Sequence, residues 1–535
     1  MFNFLPSSAR RGGPSFRSRG HVRPGLESLE DRLVPALIFV HNHSDGASMP
    51  FVGNMAPNLR SAIDQSNPGD VIELDNATYT LTGGAGGNEL DVSHTLVIRN
   101  AGGGASTIDG QGVTRVFEID NGATVTMTGL IVEGGNGNGS GEGGGILVGP
   151  GTKLTLDTDR VTLNDLVAGT PAQGGGIFNG GTLTVINTNI SQNFISGKLN
   201  ATNSGSVEGA GIYSSGKLTL TNSVLYGNEA LGGSVHPEGG SEQGEPAFGA
   251  GLFLAATEEP VSAVISGTSF LQNGALGGVG GGSAAGGGLY QDAGTGSVTI
   301  KGSTFYKNTA TGGASSGGAG TVAGNAFGGG LYQNPGAGGL SIFNSTFANN
   351  KAVGGFTDLP GATAGNATGG GLFLADTIPG LLVNDTIAQN SAAPSAAGGF
   401  GTAGGVFVEG DPKVWNTLIA ENSAATDPDV DGPFLSLGHN LFGNTTGSSG
   451  FSAAKHDLLN IPTSQIGLDN IADNGGPTAT MRLEPFSLAV DHGDNFVLAL
   501  LSTDQRGLPR LSGSAVDIGA YELQIPSSHG RRNGP

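Results

Sequence analysis

Two short acidic runs carry the side chains that could do chemistry. In the first, LTLDTDRVTLN, two carboxylates and a guanidinium stand close together at Asp157, Asp159 and Arg160. Side chains two apart on a strand share a face, so the acids would lie together and Arg160 opposite. Paired carboxylates act as acid and base in glycoside hydrolysis. These three residues are therefore the candidate catalytic group.

A solvent-facing polar strand is the alternative interpretation of this run. Catalysis across neighbouring strands would require a second charged cluster one structural unit further on. The corresponding stretch of the next unit is LTVINTNIS, which contains no charged residue. The spacing therefore favours the solvent-facing polar strand, and the sequence shows no evident catalytic site.

The second acidic run, DPDVDG, places carboxylates at Asp427, Asp429 and Asp431. It matches the first half of the calcium loop D-x-D-x-D-G. That loop requires an acid at its twelfth position, where this chain has Gly438, so the run does not predict an EF-hand. Two interpretations remain: a looser Ca²⁺ site of three carboxylates, or a solvated turn. Calcium is the one cofactor that the sequence suggests, and otherwise none is expected.

Histidine offers a weaker candidate for a metal site. His41 and His43 alternate on a predicted strand and could share a metal ion, but the sequence places no third ligand beside them. His439 and His492 fall within turn-rich motifs near the C-terminus and are interpreted as packing or capping residues. The sequence contains no spacing typical of a P-loop, a serine nucleophile elbow or a zinc finger.

The framework that must position these side chains is repetitive. Seven hexapeptides end in asparagine, at residues 188–193, 223–228, 268–273, 303–308, 345–350, 385–390 and 417–422. A glycine-rich start such as GGGI, GAGL or GGGL precedes each one. Together with an earlier GGGI at 143–146, these starts recur every 31 to 42 residues. A period of this length indicates a solenoid, whose units bury their apolar faces by stacking on one another.

One unit, GGGIFNGGTLTVINTNISQN at residues 174–193, illustrates the pattern. Leu183 and Val185 alternate with threonine, which is the period of a half-buried strand. Three short strands separated by turns fit the unit, and the recurring asparagine predicts an internal ladder of stacked amides. The glycine- and alanine-rich stretches after each asparagine, for example 277–286, are expected to project as loops from one side.

The start of the chain predicts a cap for this stack. Residues 58–65, NLRSAIDQ, place Leu59 and Ile63 on one face of a short helix. A first coil has an unpaired edge and an exposed core, so a helix at this point would cover both. The predicted fold is therefore all-β, a solenoid of parallel strands with an N-terminal capping helix.

Composition limits the possible partners. The net charge is −21, and the first 36 residues hold six of the arginines, so the remainder carries 17 basic and 41 acidic groups. Such a surface repels nucleic acid. There is no cysteine and no stretch of about 18 apolar residues, so the sequence predicts neither a disulfide nor a transmembrane segment.

The repeats resemble those of right-handed parallel β-helix proteins with the pectin-lyase-like fold. Within that fold they are similar to bacterial surface proteins of the polymorphic outer-membrane-protein type, with GGGI and FxxN repeats, over roughly residues 37–425. The resemblance implies the right-handed β-helix. It also implies two possible chemistries for the acidic runs, because lyases of this fold hold an acidic sugar with Ca²⁺ beside an arginine base, whereas the hydrolases use paired carboxylates.

Two further resemblances concern the ends of the chain. Residues 26–36, LESLEDRLVPA, are similar to the LEPR-type leader of exported bacterial proteins. Near the C-terminus, five motifs resemble the choice-of-anchor Q module, which implies surface association. They are GHNLFG at 438–443, DNGGPT at 473–478, DHG at 491–493, DQRGLPR at 504–510 and DIGAYE at 517–522.

These observations predict five regions. They are a basic export leader (1–36), an N-terminal cap with the first coils (37–105), the repeat β-helix (106–425), a C-terminal capping module (426–523) and a polar tail (524–535). The expected protein is a monomer at the cell surface, outside the cell or associated with the outer membrane, with a structural or adhesive role. Its expected partner is a cell-surface component or a polysaccharide. The alternative is a polysaccharide lyase or glycoside hydrolase acting on acidic polysaccharide.

Overall fold

A computed structural model describes residues 35–82, 89–168, 171–198, 205–234, 244–256, 262–317, 320–375, 380–396 and 398–525. Most of the leader and of the polar tail lies outside these ranges. The described residues from Ala36 onward belong to one compact unit.

Three ladders of parallel strands, here called sheets A, B and C, enclose the main core. Sheet A has 14 strands, at Met55–Ala56, Leu37–Val40, Val71–Leu74, Leu96–Asn100, Thr124–Thr128, Lys153–Asp157, Thr182–Ile186, Lys217–Thr221, Ala263–Ser266, Val298–Lys301, Leu340–Phe343, Leu381–Val383, Lys413–Trp415 and Leu435–Gly438. Sheet B has 12, at Thr78–Thr80, Ser106–Asp109, Leu130–Glu133, Arg160–Thr162, Asn189–Ser191, Val224–Tyr226, Ser269–Leu271, Thr304–Tyr306, Thr346–Ala348, Thr386–Ala388, Leu418–Ala420 and Leu441–Phe442.

Sheet C closes each coil before the chain returns to sheet A. Its 12 strands lie at Leu90–Val92, Phe117–Ile119, Ile146–Val148, Ile177–Asn179, Ile212–Ser214, Leu252–Leu254, Leu289–Gln291, Leu331–Gln333, Leu372–Leu374, Val406–Val408, Val430–Pro433 and Ser448–Ser449. The described strands pair in parallel along all three sheets, so the fold is a parallel β-helix, as predicted. Crossovers between parallel strands are right-handed, which gives the right-handed form.

The core follows from the alternation of apolar residues along the strands. In sheet A, Leu154 pairs with Leu183 and Leu183 with Leu218, so residues of one type stack in register. In sheet B, the rings of Phe305 and Phe347 stack 4.4 Å apart. Because each coil presents its apolar side chains to the next, the coils share one continuous core.

Short strands at the two ends of the glycine- and alanine-rich stretches form two more ladders, which the sequence did not predict, whereas residues between them, such as 277–283, belong to no strand. Sheet D runs outward from sheet B with 8 strands, at Asp165–Ala168, Phe194–Gly197, Glu229–Leu231, Gly274–Leu276, Thr309–Thr311, Lys351–Gly354, Ser391–Pro394 and Ser423–Ala424. Sheet E returns to sheet C with 7, at Ala172–Gln173, Val207–Glu208, Ala247–Phe248, Ala284–Ala285, Ala326–Phe327, Ala367–Thr368 and Gly401–Thr402. Together they form an arm on the coils between Asp165 and Ala424.

Small residues allow the two sides of the arm to touch. Its core consists mainly of alanine, for example Ala230, Ala310 and Ala352. Beyond this core, glycine backbones bond to each other. Gly313 N–H donates to Gly282 C=O of the preceding coil at 2.7 Å, and Gly324 N–H donates to Gly313 C=O across the arm of the same coil at 2.8 Å. A Cβ at Gly313 would lie 2.0 Å from Gly278 O, so any side chain there would force the backbones apart.

The capping helix forms at Leu59–Gln65, as predicted. Asn58 is its N-cap, and its side chain accepts a hydrogen bond from Ser61 N–H at 2.7 Å. Leu59 and Ile63 are buried against the first coils. The other described helices are short, at Gly137–Gly139, Ala453–Lys455, Thr463–Ile466 and Asn495–Ala499, and no described helix is long and apolar enough to cross a membrane.

The C-terminal module does more than cap the stack. The three sheets continue past residue 425, and the Phe451 ring lies 3.9 Å from Phe442 and covers the last coil. The chain then returns along the outside of sheet B as the C-terminal segment, residues 462–523. Its Gln505 donates to Ser303 C=O at 3.2 Å and accepts from Thr346 Oγ1 at 2.6 Å, several coils back along the stack.

A buried arginine ties this segment down. Arg510 is fully buried and donates to Gly519 C=O at 3.0 Å, to Ala520 C=O at 3.1 Å and to Asn344 Oδ1. Glu522 Oε2 lies 3.9 Å from its guanidinium. The segment is thus fastened to the A–B side of the stack by polar contacts as well as by apolar packing.

Candidate functional site

Asp157, Asp159 and Arg160 lie across the corner between sheets A and B, so the prediction that they share one strand is wrong. The strand of sheet A ends at Asp157, and the next strand begins at Arg160. Thr158 between them has a φ of 64°, and this left-handed residue turns the chain from one sheet to the other. Arg160 is exposed, whereas Asp159 is only 5% exposed.

Asp159 is fully engaged with the backbone. Its Oδ1 accepts a hydrogen bond from Leu130 N–H at 2.7 Å, and its Oδ2 accepts one from Asp157 N–H at 2.9 Å. Burial raises the pKa of this carboxyl to about 7, although the two backbone donors oppose the shift. A raised pKa can mark a catalytic acid. Here, however, both carboxylate oxygens accept backbone hydrogen bonds that stabilise the corner.

The same corner position recurs along the stack as a ladder of small polar side chains. Its members are Asp159, Thr188, Ser223, Thr268, Ser303, Ser345, Asp385, Thr417 and Asn440. Asp159 N–H donates to Thr188 Oγ1 at 3.1 Å, and Ser345 N–H to Asp385 Oδ1 at 2.8 Å. Asp385 also accepts from Val383 N–H, two residues earlier, just as Asp159 accepts from Asp157 N–H. The acid at this position is therefore structural.

The recurring asparagines form the predicted internal ladder. From Asn164 to Asn422, each side-chain Nδ2 donates to Oδ1 of the next asparagine at 2.9 Å. The ladder ends at Asp429, whose Oδ1 accepts both the Nδ2 and the backbone N–H of Asn422, at 2.8 and 2.9 Å. A carboxylate accepts hydrogen bonds but has no N–H group to donate to a next residue, so the ladder ends at Asp429.

This role separates the three carboxylates of the candidate calcium site. Asp429 is buried towards Asn422, and burial raises its pKa to about 6. Asp431 is half-buried, and burial and nearby Asp427 raise its pKa. No group of three His, Asp or Glu side chains in the described ranges is placed to hold a metal ion. Asp427, Asp429 and Asp431 are therefore not brought together as the calcium loop would require.

The histidines take part in local hydrogen bonds. His41 Nδ1 lies 2.6 Å from Asp75 Oδ2, and His43 Nε2 lies 3.8 Å from the same oxygen. His439 Nδ1 bonds to His492 C=O at 2.8 Å.

A charged cluster near the first coils was missed by the sequence analysis. The Arg115 guanidinium lies 3.3 Å from Glu89 and 3.1 Å from Glu118. It also donates to Ser140 Oγ at 2.7 Å and to Gly143 C=O at 3.0 Å. Burial raises the pKa of Glu118 although Arg115 opposes the shift. Because Arg115 is itself buried and bonded on several sides, we interpret the cluster as a structural group that holds the segment from Ser140 to Gly143 in place.

Outside the A–B corner lies an open groove of about 290 Å³, here called the corner groove. Its lining includes the amides Asn187, Asn189 and Asn222, the cation Arg160 and the apolar side chains Leu130 and Val224. Asp159 forms part of its floor. The groove thus offers hydrogen-bond donors, acceptors and one exposed cation, but no pair of free carboxylates, so its chemistry suits binding better than acid–base catalysis.

Comparisons with known proteins add little to this description. No family profile matches the sequence, and no curated protein matches it either. Among solved structures, the crystal structure of pectate lyase Pel9A matches with a TM-score of 0.39 and 15% sequence identity, over 91% of this chain and 97% of that chain. The fold described above rests on the strand pairing of this chain itself.

Proposed function

We propose that this chain is an exported protein of the cell surface whose β-helix has a structural or adhesive role. The observation that carries the proposal is that both oxygens of the candidate catalytic carboxylate, Asp159, already accept hydrogen bonds from the backbone. Asp159 bonds to two backbone N–H groups and belongs to a ladder in which other coils use serine or threonine. A position that accepts a hydroxyl residue in the neighbouring coil has a structural role that needs no ionisable group.

The ends of the chain support the location. The LEPR-type segment favours export, and the choice-of-anchor Q motifs favour attachment to the surface. The C-terminal segment also exposes large apolar side chains, with Phe486 64% and Phe496 82% exposed. Exposed aromatic side chains often mark contacts with another surface. We therefore propose this segment as the means of attachment.

Enzymatic activity is the rival, and a substrate panel tests it. The purified chain is incubated with acidic and neutral polysaccharides in the presence of Ca²⁺, and unsaturated products and new reducing ends are measured. We expect no product. Product that disappears in Asp157→Asn or Arg160→Gln would overturn the proposal, because it would place catalysis at the A–B corner.

Attachment is tested by cell fractionation. The double variant Phe486→Ser, Phe496→Ser should move from the envelope fraction to the medium, whereas Phe400→Ser should not. Phe400 is a matched control because it is 71% exposed and lies outside the C-terminal segment. Protein that stays with the envelope in the double variant would contradict this means of attachment, and protein found in the cytoplasm would contradict export.

A further inference from the structure

The C-terminal segment follows the same corner of the stack that forms the corner groove. One outward-facing column of sheet B joins the two regions. It runs through Arg160, Asn189, Val224, Ser269, Thr304, Thr346 and Thr386, which pair in register. Arg160 is exposed and Asn189 and Val224 are half-buried, whereas Thr304, Thr346 and Thr386 are buried. The corner is therefore covered in the later coils and open in the earlier ones.

In the covered coils, column threonines bond to the polypeptide that lies over them. Thr304 Oγ1 donates to Ala479 C=O at 2.6 Å, and Thr386 Oγ1 accepts from Ala520 N–H at 2.9 Å. These are contacts to main-chain groups, which any residue can supply.

The corner asparagines of the covered coils do the same. Asn384 Nδ2 donates to the carbonyls of Asp517 and Gly519 at 3.1 and 3.2 Å. Asn416 binds Asp494 with both ends of its amide: Nδ2 donates to Asp494 C=O at 3.1 Å, and Oδ1 accepts from Asp494 N–H at 2.9 Å. An amide side chain matches a peptide group in this way because each has one donor side and one acceptor side.

The open coils repeat this arrangement without a polypeptide over it. Asn187 and Asn222 have φ values of 49° and 48°, close to the 52° of Asn384, and each follows the end of a strand of sheet A. Asn189 is two residues after Asn187, as Thr386 is after Asn384. Asn187 Nδ2 makes one long contact, to Asp157 Oδ1 at 3.5 Å. Asn189 Oδ1 has no hydrogen-bond partner among the described residues, and none of them bonds to the Asn222 side chain.

We propose that the corner groove binds an extended segment of a partner polypeptide, held through its main-chain groups and through one carboxylate that faces Arg160. This inference rests on the adhesive role proposed above and names its ligand class. The argument for a polypeptide is continuity, because the same corner already holds polypeptide in the later coils. An oligosaccharide is the competing occupant, and the experiment separates the two.

The probe is a fluorescent synthetic peptide, SAVDIGAYEL, which copies residues 514–523 and includes the stretch that Asn384 and Thr386 bind. Its polarisation is measured with the full chain and with the double variant Asn187→Gly, Asn222→Gly. Glycine occupies the same corner position at Gly267 and Gly302, with φ values of 55° and 59°, so these substitutions remove the amides without backbone strain. Asn121→Gly, at an exposed left-handed residue away from the groove, is the matched control.

We expect saturable binding that weakens at least tenfold in the double variant and is unchanged in Asn121→Gly. Asn189→Ala, at a strand position that carries no φ strain, should also weaken it. A peptide with asparagine in place of its aspartate should bind less tightly to the full chain, and this difference should vanish in Arg160→Gln.

Three results would overturn the proposal: no saturable binding, binding that the groove substitutions leave unchanged, or binding of a trigalacturonate probe in place of the peptide. Failure here is distinct from failure of the adhesive role. The substrate panel and the fractionation experiment test that role without any peptide.

Discussion

Asp159 and Asp385 occupy a ladder in which the intervening coils place threonine or serine. A hydroxyl there donates to the carbonyl two residues earlier, as Thr188 Oγ1 does to Ile186 C=O at 2.8 Å. A carboxylate instead accepts the N–H two residues earlier, as Asp159 does from Asp157. Either a hydroxyl or a carboxylate can therefore make a hydrogen bond that stabilises the turn at this corner. A strongly shifted pKa at Asp159 is thus a consequence of burial in a structural position.

Substitution of Asp159 distinguishes this role from catalysis. Asp159→Thr should lower the melting temperature less than Asp159→Ala, because its hydroxyl can still accept the Leu130 N–H and leaves only the Asp157 N–H without an acceptor. Asp159→Ala should cost about 1–3 kcal/mol for each of the two N–H groups left without an acceptor. Thermal unfolding followed by circular dichroism measures both. Equal destabilisation by threonine and alanine would contradict the ladder interpretation.

Asp429 should be important for stability without binding calcium. Asp429→Ala removes the acceptor of two Asn422 donors, whereas the matched variant Asp431→Ala removes a half-buried carboxylate outside the ladder. We expect the first to lower the melting temperature more than the second, and Ca²⁺ or chelator to have no effect on the wild type. A Ca²⁺-dependent rise in melting temperature that is lost in Asp431→Ala would restore the calcium site.

At the scale of the elements, the arms explain why the chain is so rich in glycine. The chain has 100 glycines in 535 residues. In the arms, successive backbones approach so closely that only hydrogen fits in place of a side chain, as at Gly313 and Gly324. Ordering glycine costs more conformational entropy than ordering other residues. In the arms, close backbone packing and hydrogen bonding offset this cost, which explains the high glycine content.

Two glycines of the arms allow a matched test. A Cβ at Gly313 would meet Gly278 O at 2.0 Å, whereas a Cβ at Gly274 would meet nothing within 4 Å. We expect Gly313→Ala to destabilise the chain by about 1–3 kcal/mol or more through overpacking. Gly274→Ala should be neutral or slightly stabilising, by up to about 1 kcal/mol. Hydrogen exchange of the arm amides measures the local effect, and similar behaviour of the two variants would contradict the packing argument.

At the scale of the whole described unit, the C-terminal segment is fastened by buried ionisable groups. Burial raises the pKa of Glu522 to about 8 and that of Asp517 to about 6, in each case despite nearby Arg510. An acid whose pKa is higher in the folded state than in the unfolded state favours folding while it is protonated. This contribution is complete below the unfolded pKa of about 4 and is lost as the pH rises through 6 to 8.

The attachment of this segment should therefore weaken with rising pH. Limited proteolysis within residues 462–523 should be slower at pH 5 than at pH 9, after correction for the protease's own pH dependence on an unfolded substrate. Glu522→Gln should reduce the difference, because a neutral side chain does not titrate. Faster cleavage at pH 5 would contradict the sign of this linkage.

The repeats, the period-two alternation and the recurring asparagine determined the stacked strands and the internal ladder from the sequence alone, and the spacing of Leu59 and Ile63 determined the capping helix. These features depend on spacing within one unit, and stacking copies of one unit leaves little freedom in register. The sequence also marked Asp159 and Asp429 as unusual, but an acid looks the same whether it faces solvent or a neighbouring coil.

Only the tertiary structure decided what those acids bind, how the glycine-rich stretches fold and where the C-terminal segment lies. Each depends on contacts between distant parts of the chain. Arg510 donates a hydrogen bond to Asn344, which is 166 residues earlier in the chain, and no local sequence pattern predicts that contact. The arms likewise form because each backbone finds its partner one coil away, and a single glycine-rich stretch read alone resembles a loose loop. The open corner groove is visible only because the later coils display the same corner with a polypeptide in place.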